Sequence, residues 1–173
     1  DIDLLISQTK RCSEILKKIS RKKIEDDQFI SNINIENLLD EIIDSFNETS
    51  SKKISLVTEK DKNKINIQRT PEIIYGLRNF IGNAVKFSRS VVFISLKTDN
   101  KNIVITITDD GPGFPDDVIH ILGEPYIKSK SEEVSSNSGL GLGTFLGKTL
   151  LEKQGAKLSF SEDEKRGGAK VTI

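Results

Sequence analysis

The sequence has no tryptophan and no methionine, and its 173 residues hold one cysteine, one histidine and four prolines. A single thiol cannot close a disulfide within the chain, and one Cys with one His is too few for a Cys/His metal cluster of the usual ligand count. No apolar run approaches the roughly 20 residues needed to cross a bilayer. The start at Asp1 shows neither an initiator Met nor a signal-like apolar stretch, and Val171-Thr172-Ile173 reads as a strand stopped in mid-course, so a soluble piece of something longer is expected. Net charge is missing too, since 26 Lys and Arg balance 26 Asp and Glu.

That balance hides two unlike parts. Asp1 to Lys23 carry seven basic and three acidic residues, a net +4, and the remaining 150 residues carry −4. In the first part Ile2, Leu5, Thr9, Cys12, Leu16 and Ile19 alternate in steps of three and four, which predicts a helix with a narrow apolar seam. A helix this short is marginal alone, so it needs partners: a hairpin or four-helix bundle shared between two chains, or its own domain. No aromatic residue is interleaved with its basic cluster for base stacking, and nucleic acid is not expected.

In the second part, Ile35, Leu38, Leu39, Ile42, Ile43 and Phe46 predict an amphipathic helix, followed by two β-rich runs, Ile54 to Val57 and Ile65 to Gln68. Thr70 and Pro71 supply an N-cap and a first-turn proline for a helix burying Ile73, Ile74, Leu77, Phe80, Ile81, Ala84 and Val85. Val91 to Lys97 and Ile103 to Thr108 read as a hairpin around Asp99-Asn100-Lys101-Asn102. Gly111 to Ser138 lack periodicity, as a lid or a disordered loop would. Leu140 to Gln154 resume a helix closed by Gly155, and Lys157 to Phe160 with Lys170 to Ile173 form a last strand pair around Arg166-Gly167-Gly168. Strand pairs joined by hairpins, with helices between them, predict a mixed sheet covered by helices on one face.

Three segments have residues suited to chemistry. Asp109-Asp110-Gly111-Pro112-Gly113 ends a β-rich run; its carboxylate can accept from an exocyclic amine and its glycines admit a flat ligand, or it is a simple acidic turn. Gly139-Leu140-Gly141-Leu142-Gly143 opens the last helix and exposes N–H groups suited to phosphate. It is not the G-x-G-x-x-G fingerprint, and Gly147-Lys148-Thr149 is not a P-loop end, because Leu142 stands where the required glycine belongs. Asn79, Asn83 and Lys86 share one face of the Pro71 helix; they are surface polar residues, or they serve a magnesium ion and its phosphates.

Taken in order, Arg78-Asn79-Phe80-Ile81-Gly82-Asn83-Ala84-Val85-Lys86-Phe87-Ser88, Asp109 to Phe114, Glu124 to Lys130 and Gly139 to Gly143 resemble the N, G1, F and G2 boxes of bacterial sensor histidine kinases. Thr9 to Leu16, Gly123-Glu124-Pro125-Tyr126 and Lys148 to Glu152 are similar to the RegB/PrrB group of redox-responsive kinases. The resemblance implies a Bergerat-type α/β two-layer sandwich, a mixed sheet covered by helices on one face, preceded by one helix of a dimerisation hairpin. Residues 1–23 would be the second hairpin helix, 24–32 a linker and 33–173 the ATP-binding domain of the two-component kinase, with an ATP lid at about 111–138.

The cofactors implied are ATP and Mg2+. Asp109 would bind the adenine amino group in a pocket shaped by Gly111 and Gly113; Asn83 would ligate magnesium with Asn79 assisting, and Lys86 would contact phosphate. Gly139, Leu140, Gly141 and Leu142 would hold the phosphates through backbone N–H groups, Lys130 would reach the γ-phosphate, and Tyr126 would be the lid aromatic. The γ-phosphate would go to a His on an upstream helix absent from this chain, for relay to a response regulator. His120 follows the G1 segment and is not that acceptor. The partners implied are a second copy, through the hairpin, and the regulator; the location is cytoplasmic, or the cytosolic part of an inner-membrane protein whose membrane contact lies in segments absent here.

Two departures stand out. Asn137 occupies the first glycine position of the usual G-T-G-L-G-L run, and Gly123 occupies the position of an F-box phenylalanine, which questions how the lid docks. Gyrase, Hsp90 and MutL, related ATPases, carry a glutamate base at the position matched by Asn79. An amide cannot take a proton from water, which argues for transfer over hydrolysis. Cys12 is either a small buried hydrophobe or the match to the redox-active cysteine of the RegB group, beside Lys10 and Arg11. An anti-sigma-type serine kinase shares the boxes, but the heptad arm argues against it; a nucleotide-binding module without transfer draws support from Asn137 and Gly123.

Overall fold

The computed structural model describes residues 32–59, 65–99, 102–115, 117–125, 142–164 and 166–173. The heptad arm with Cys12, the lid residues Tyr126 and Lys130, and Asn137, Gly139, Leu140 and Gly141 lie outside the described residues.

A short strand, β1 (Asn32–Asn34), leads directly into α1 (Ile35–Asn47). Asn34 caps the helix by accepting the Glu36 N–H at 2.9 Å, which satisfies one of the donors a helix start leaves open. Ile35, Leu38, Leu39, Ile42 and Ile43 are its buried stripe, as their spacing predicts. The strands β2 (Lys53–Thr58) and β3 (Asn66–Gln68) follow. They do not form the hairpin that their closeness in sequence suggests. β3 pairs antiparallel with β1, Ile33 opposite Ile67, while β2 pairs in parallel with the later strand β4 (Val91–Thr98). A parallel partner needs a long crossover, and β3 with the intervening helix supplies it.

That helix, α2 (Pro71–Phe87), begins as the sequence predicts: Thr70 accepts the Ile73 N–H at 3.3 Å, and Pro71 occupies the first turn. β4 and β5 (Ile103–Asp109) form the expected hairpin, with the Asn102 N–H donating to Asp99 Oδ1 at 2.8 Å in the turn. α3 (Leu142–Lys153) ends at Gly155, whose φ of +89° is the left-handed conformation; the Ala156 N–H donates back to the Leu151 carbonyl at 3.1 Å. The last pair, β6 (Ser159–Glu162) and β7 (Ala169–Thr172), completes a five-stranded sheet in the order β2-β4-β5-β7-β6.

The three helices pack on one face of this sheet. Val92, Ile94 and Leu96 of β4, Ile105 and Ile107 of β5 and Val171 of β7 meet Leu38, Leu39 and Ile42 of α1, Leu77, Phe80 and Ile81 of α2 and Leu151 of α3. Leu38 and Leu77 are fully buried, and truncating either to Ala costs about 2–5 kcal/mol. This core fixes α2 above the ends of β4 and β5, which positions the site. Among the described residues no helix is long and apolar enough to cross a membrane.

Candidate functional site

Asp109 is the last residue of the central strand β5, opposite Val92 of β4, and is 3% exposed. A carboxylate buried among aliphatic side chains requires hydrogen bonds. Its Oδ1 accepts from the Gly111 N–H at 2.8 Å and from the Ala169 N–H at 3.3 Å. No donor among the described residues reaches Oδ2, which is the oxygen left to accept from a ligand. Burial raises the Asp109 pKa above its usual value, the two N–H bonds pull it down, Asp110 pushes it up and Lys52 draws it down.

Glycines make this depth possible. A Cβ on Gly111 would stand 2.5 Å from the Phe87 carbonyl oxygen and 2.8 Å from Asp109 Oδ1. Gly168 is more confined, since a Cβ there would overlap the Asp109 carbonyl group. In the sequence Gly168 looks like part of a hairpin turn, and only the fold shows that it seats Asp109. Gly113, with φ of +80°, lies beside Glu162 at the end of β6.

Asp110 has a role that sequence reasoning missed. Its Oδ1 accepts the N–H groups of Arg89, Ser90 and Val91 at 2.8, 3.0 and 3.1 Å, and its Oδ2 accepts the Ser90 hydroxyl at 2.6 Å. The Ser90 hydroxyl and these backbone donors hold its pKa well below the ordinary carboxylate range. Asp110 therefore ties the end of β5 to the corner between α2 and β4. Lys52 holds the same corner by donating to the Ser88 carbonyl.

α2 runs into this corner and carries Asn79, Asn83 and Lys86. The Asn79 amide nitrogen donates to the Tyr75 carbonyl at 2.8 Å, and the Asn83 amide nitrogen donates to the Thr144 hydroxyl at 3.2 Å. Asn79 Oδ1 faces Gly143, and Gly147 lets α3 approach the Asn79 and Phe80 side chains to ordinary contact. The Lys86 ammonium lies 5.0 Å from the centre of the Phe87 ring. The fold thus brings Asn79, Asn83 and the start of α3, with Leu142 as its first residue, to one place; Asp109, Gly111 and Gly113 stand at the strand end below. Among the described residues no group of three or more His, Cys, Asp and Glu could hold a metal. The donors that remain are neutral amide oxygens, which suit an ion that keeps water and is otherwise held by phosphate oxygens.

The described residues 117–125 of the segment expected to form a lid have a contact with α3. Gly123 is buried with φ of +90°, and a Cβ there would overlap Cδ of Lys148 on α3. The glycine in the phenylalanine position is thus favoured by backbone conformation, while its contact with α3 is with the far end of the flexible Lys148 side chain. His120 lies on the exposed side of a short 3-10 turn, Ile119–Ile121.

Residues 68–173 match the family model described as histidine kinase-, DNA gyrase B-, and HSP90-like ATPase. The chain belongs to this family. Sensor histidine kinase RegB of Cereibacter sphaeroides is 35% identical over 168 residues, covering 93% of this chain and 36% of the relative. The chain thus spans about a third of the length of that relative. Among solved structures, the mycobacterial sensor histidine kinase MprB has a TM-score of 0.67 at 18% identity, covering 83% of this chain and 94% of that one. ShkA, solved full-length in complex with AMPPNP, has a TM-score of 0.67 at 20% identity, covering 83% of this chain and 30% of that one. These likenesses show the fold: an α/β sandwich whose five-stranded mixed sheet carries helices on one face.

Proposed function

We propose that this chain is the ATP-binding catalytic portion of a two-component sensor histidine kinase. The observation that carries this reading is Asp109, buried at a strand end with Oδ1 fixed by two backbone N–H groups and Oδ2 left to accept an exocyclic amine. Its support includes the family match and the similarity to RegB. The fold neighbour ShkA was solved in complex with AMPPNP, which is in keeping with a nucleotide ligand.

In this reading Asp109 selects adenine within walls set by Gly111, Gly113 and Gly168. Asn83 Oδ1, with Asn79 assisting, would hold a magnesium ion, which neutralises charge on the phosphate oxygens when bound. Lys86, Lys130 and the N–H groups from Gly139 to Leu142 contact the phosphates, and Tyr126 covers the nucleotide. Asn79 presents a neutral amide, already bonded to Tyr75, where a hydrolase needs a carboxylate, so water is not activated. The γ-phosphoryl group leaves ADP as a bond forms to an imidazole nitrogen of a His outside this chain, and it then passes to a response regulator. The arm at 1–23 pairs two copies, the location is cytoplasmic or the cytosolic side of an inner-membrane protein, and Cys12 responds to oxidant in the manner of the RegB group.

The test mixes this chain with a separately made upstream segment, labelled ATP and Mg2+. Label on a His of that segment supports the reading. Tight ATP binding with no transfer to any His points instead to a nucleotide-binding module. A Cys12-dependent crosslink on a non-reducing gel checks the redox part.

A further inference from the structure

Asn83 is an amide, and an amide has two unlike ends. Only the oxygen can ligate a cation; the nitrogen is a donor and repels one. A free asparagine side chain on a helix turns about its last bond and presents either end, so something must choose between them. For Asn79 the choice is made within α2: its nitrogen donates to the Tyr75 carbonyl at 2.8 Å, and a carbonyl can only accept, so the oxygen must point away. For Asn83 the partner is on a different helix. Its amide nitrogen donates to the hydroxyl of Thr144, in the first turn of α3, at 3.2 Å and in a half-buried setting.

We infer that Thr144 is a positioning residue for Asn83, holding the amide by its nitrogen so that Oδ1 is the atom offered to a magnesium ion and its phosphates. The inference rests on the function proposed above and deepens it. Two observations support it, and the chemistry of the hydroxyl permits it. Asn83 and Thr144 are 61 positions apart, so the contact is a product of helix packing and not of local sequence. The helices approach closely enough for the bond because Gly147, one turn further along α3, carries no Cβ against Asn79 and Phe80. A threonine hydroxyl carries acceptor lone pairs as well as a proton, so it can serve as the acceptor here. Groups that orient a metal ligand commonly alter metal affinity by tenfold or more when removed.

The choice of Thr over an apolar side chain also links the two helices at the site. Thr144 is the third residue of α3, so its bond ties the start of that helix to the ligand on α2.

The experiment titrates the full chain with AMPPNP by calorimetry, in EDTA and across a range of Mg2+ concentrations, for wild type, Thr144→Val and Thr144→Ser, with thermal unfolding of each. The valine keeps the volume and removes the hydroxyl; the serine keeps the hydroxyl. The expected result is that Thr144→Val binds AMPPNP in EDTA within about twofold of wild type but requires about tenfold more Mg2+ for half of the magnesium-dependent gain. Thr144→Ser should return to within about twofold of wild type.

An equal loss for Thr144→Val in EDTA and in Mg2+ would assign Thr144 to packing alone and overturn the inference. An unchanged or tighter Mg2+ response would also overturn it, showing that the amide does not need this anchor or is held by its oxygen. If wild type itself gains nothing from Mg2+ while binding AMPPNP, the magnesium part of the proposed function fails first, and this inference fails with it. Should the valine variant unfold early, Thr144→Ser and Thr144→Ala carry the comparison, with the alanine expected to share the magnesium defect.

Discussion

Gly168 lies against the backbone carbonyl of Asp109 so closely that no side chain fits between β7 and the end of β5. The strand pair can close over Asp109 only because this position is bare, and the Ala169 N–H next to it then reaches the carboxylate. Gly168→Ala should push the two strands apart and cost about 1–3 kcal/mol of stability, as overpacking commonly does. Urea unfolding with a parallel ATP titration checks this. Loss of affinity at least as large as the loss of stability is expected, and a variant with wild-type binding would refute the link.

Asp109 and the fold pull in opposite directions with pH. Burial raises its pKa above the ordinary 3.8, so the ionised form costs the unliganded domain stability at higher pH. That cost is relieved as pH falls through the folded pKa. Nucleotide binding runs the other way, because a protonated carboxyl is a poorer acceptor for an amine. ATP affinity should begin to drop at a pH above the range of an ordinary aspartate. Asp109→Asn keeps an oxygen for Gly111 and Ala169 while removing the buried charge. It should melt at or above the wild-type temperature and bind no ATP, as scanning calorimetry and ATP titration would reveal.

Asp110 has the opposite sign. Its pKa is depressed, so its contribution is complete above the unfolded value near 3.8 and is lost as pH falls below it toward the folded value. Asp110→Ala removes a carboxylate that accepts from Arg89, Ser90 and Val91, and should lower unfolding free energy by about 1–2 kcal/mol at neutral pH. Its acid unfolding limb should be flatter than that of wild type. Equal acid sensitivity of the two proteins would show that the carboxylate is not the group responsible.

Gly123 and Lys148 can be separated by a double-mutant cycle. Gly123→Ala meets both a left-handed φ of +90° and the Lys148 stem, and should cost about 1 kcal/mol or more. In a Lys148→Ala background the steric part vanishes and the conformational part stays, so the penalty should shrink without reaching zero. Equal penalties in both backgrounds would show that the backbone at Gly123 does not rest on Lys148.

Much of this architecture is visible in the sequence because it is local. The bounds of α1 and α2 follow from apolar spacing and from Thr70-Pro71, and the β4–β5 hairpin follows from Asp99 and Asn102. The partners of β2 and β3 are not visible, because a short strand such as Asn66–Gln68 says nothing about which edge it will meet. The site divides the same way. Asp109 stands out as a carboxylate at a strand end, whereas Asp110, Gly168 and Thr144 gain their roles from partners about 20 to 61 positions away. β6 shows the limit of propensity: it runs from Ser159 to Glu162, two residues later than its apolar residues suggest, because its register is set by Phe160 opposite Val171.

The double duty of α2 has a consequence for inhibitors. One flank of this helix is locked into the core through Leu77, Phe80, Ile81, Ala84 and Val85, while Asn79, Asn83 and Lys86 project from the same 17-residue rod. A compound cannot push this wall back without breaking the hydrophobic interior, so the pocket has one incompressible side. Among the described residues, 117–125 are far less confined than this wall, since only Val118 and Gly123 of that segment are buried.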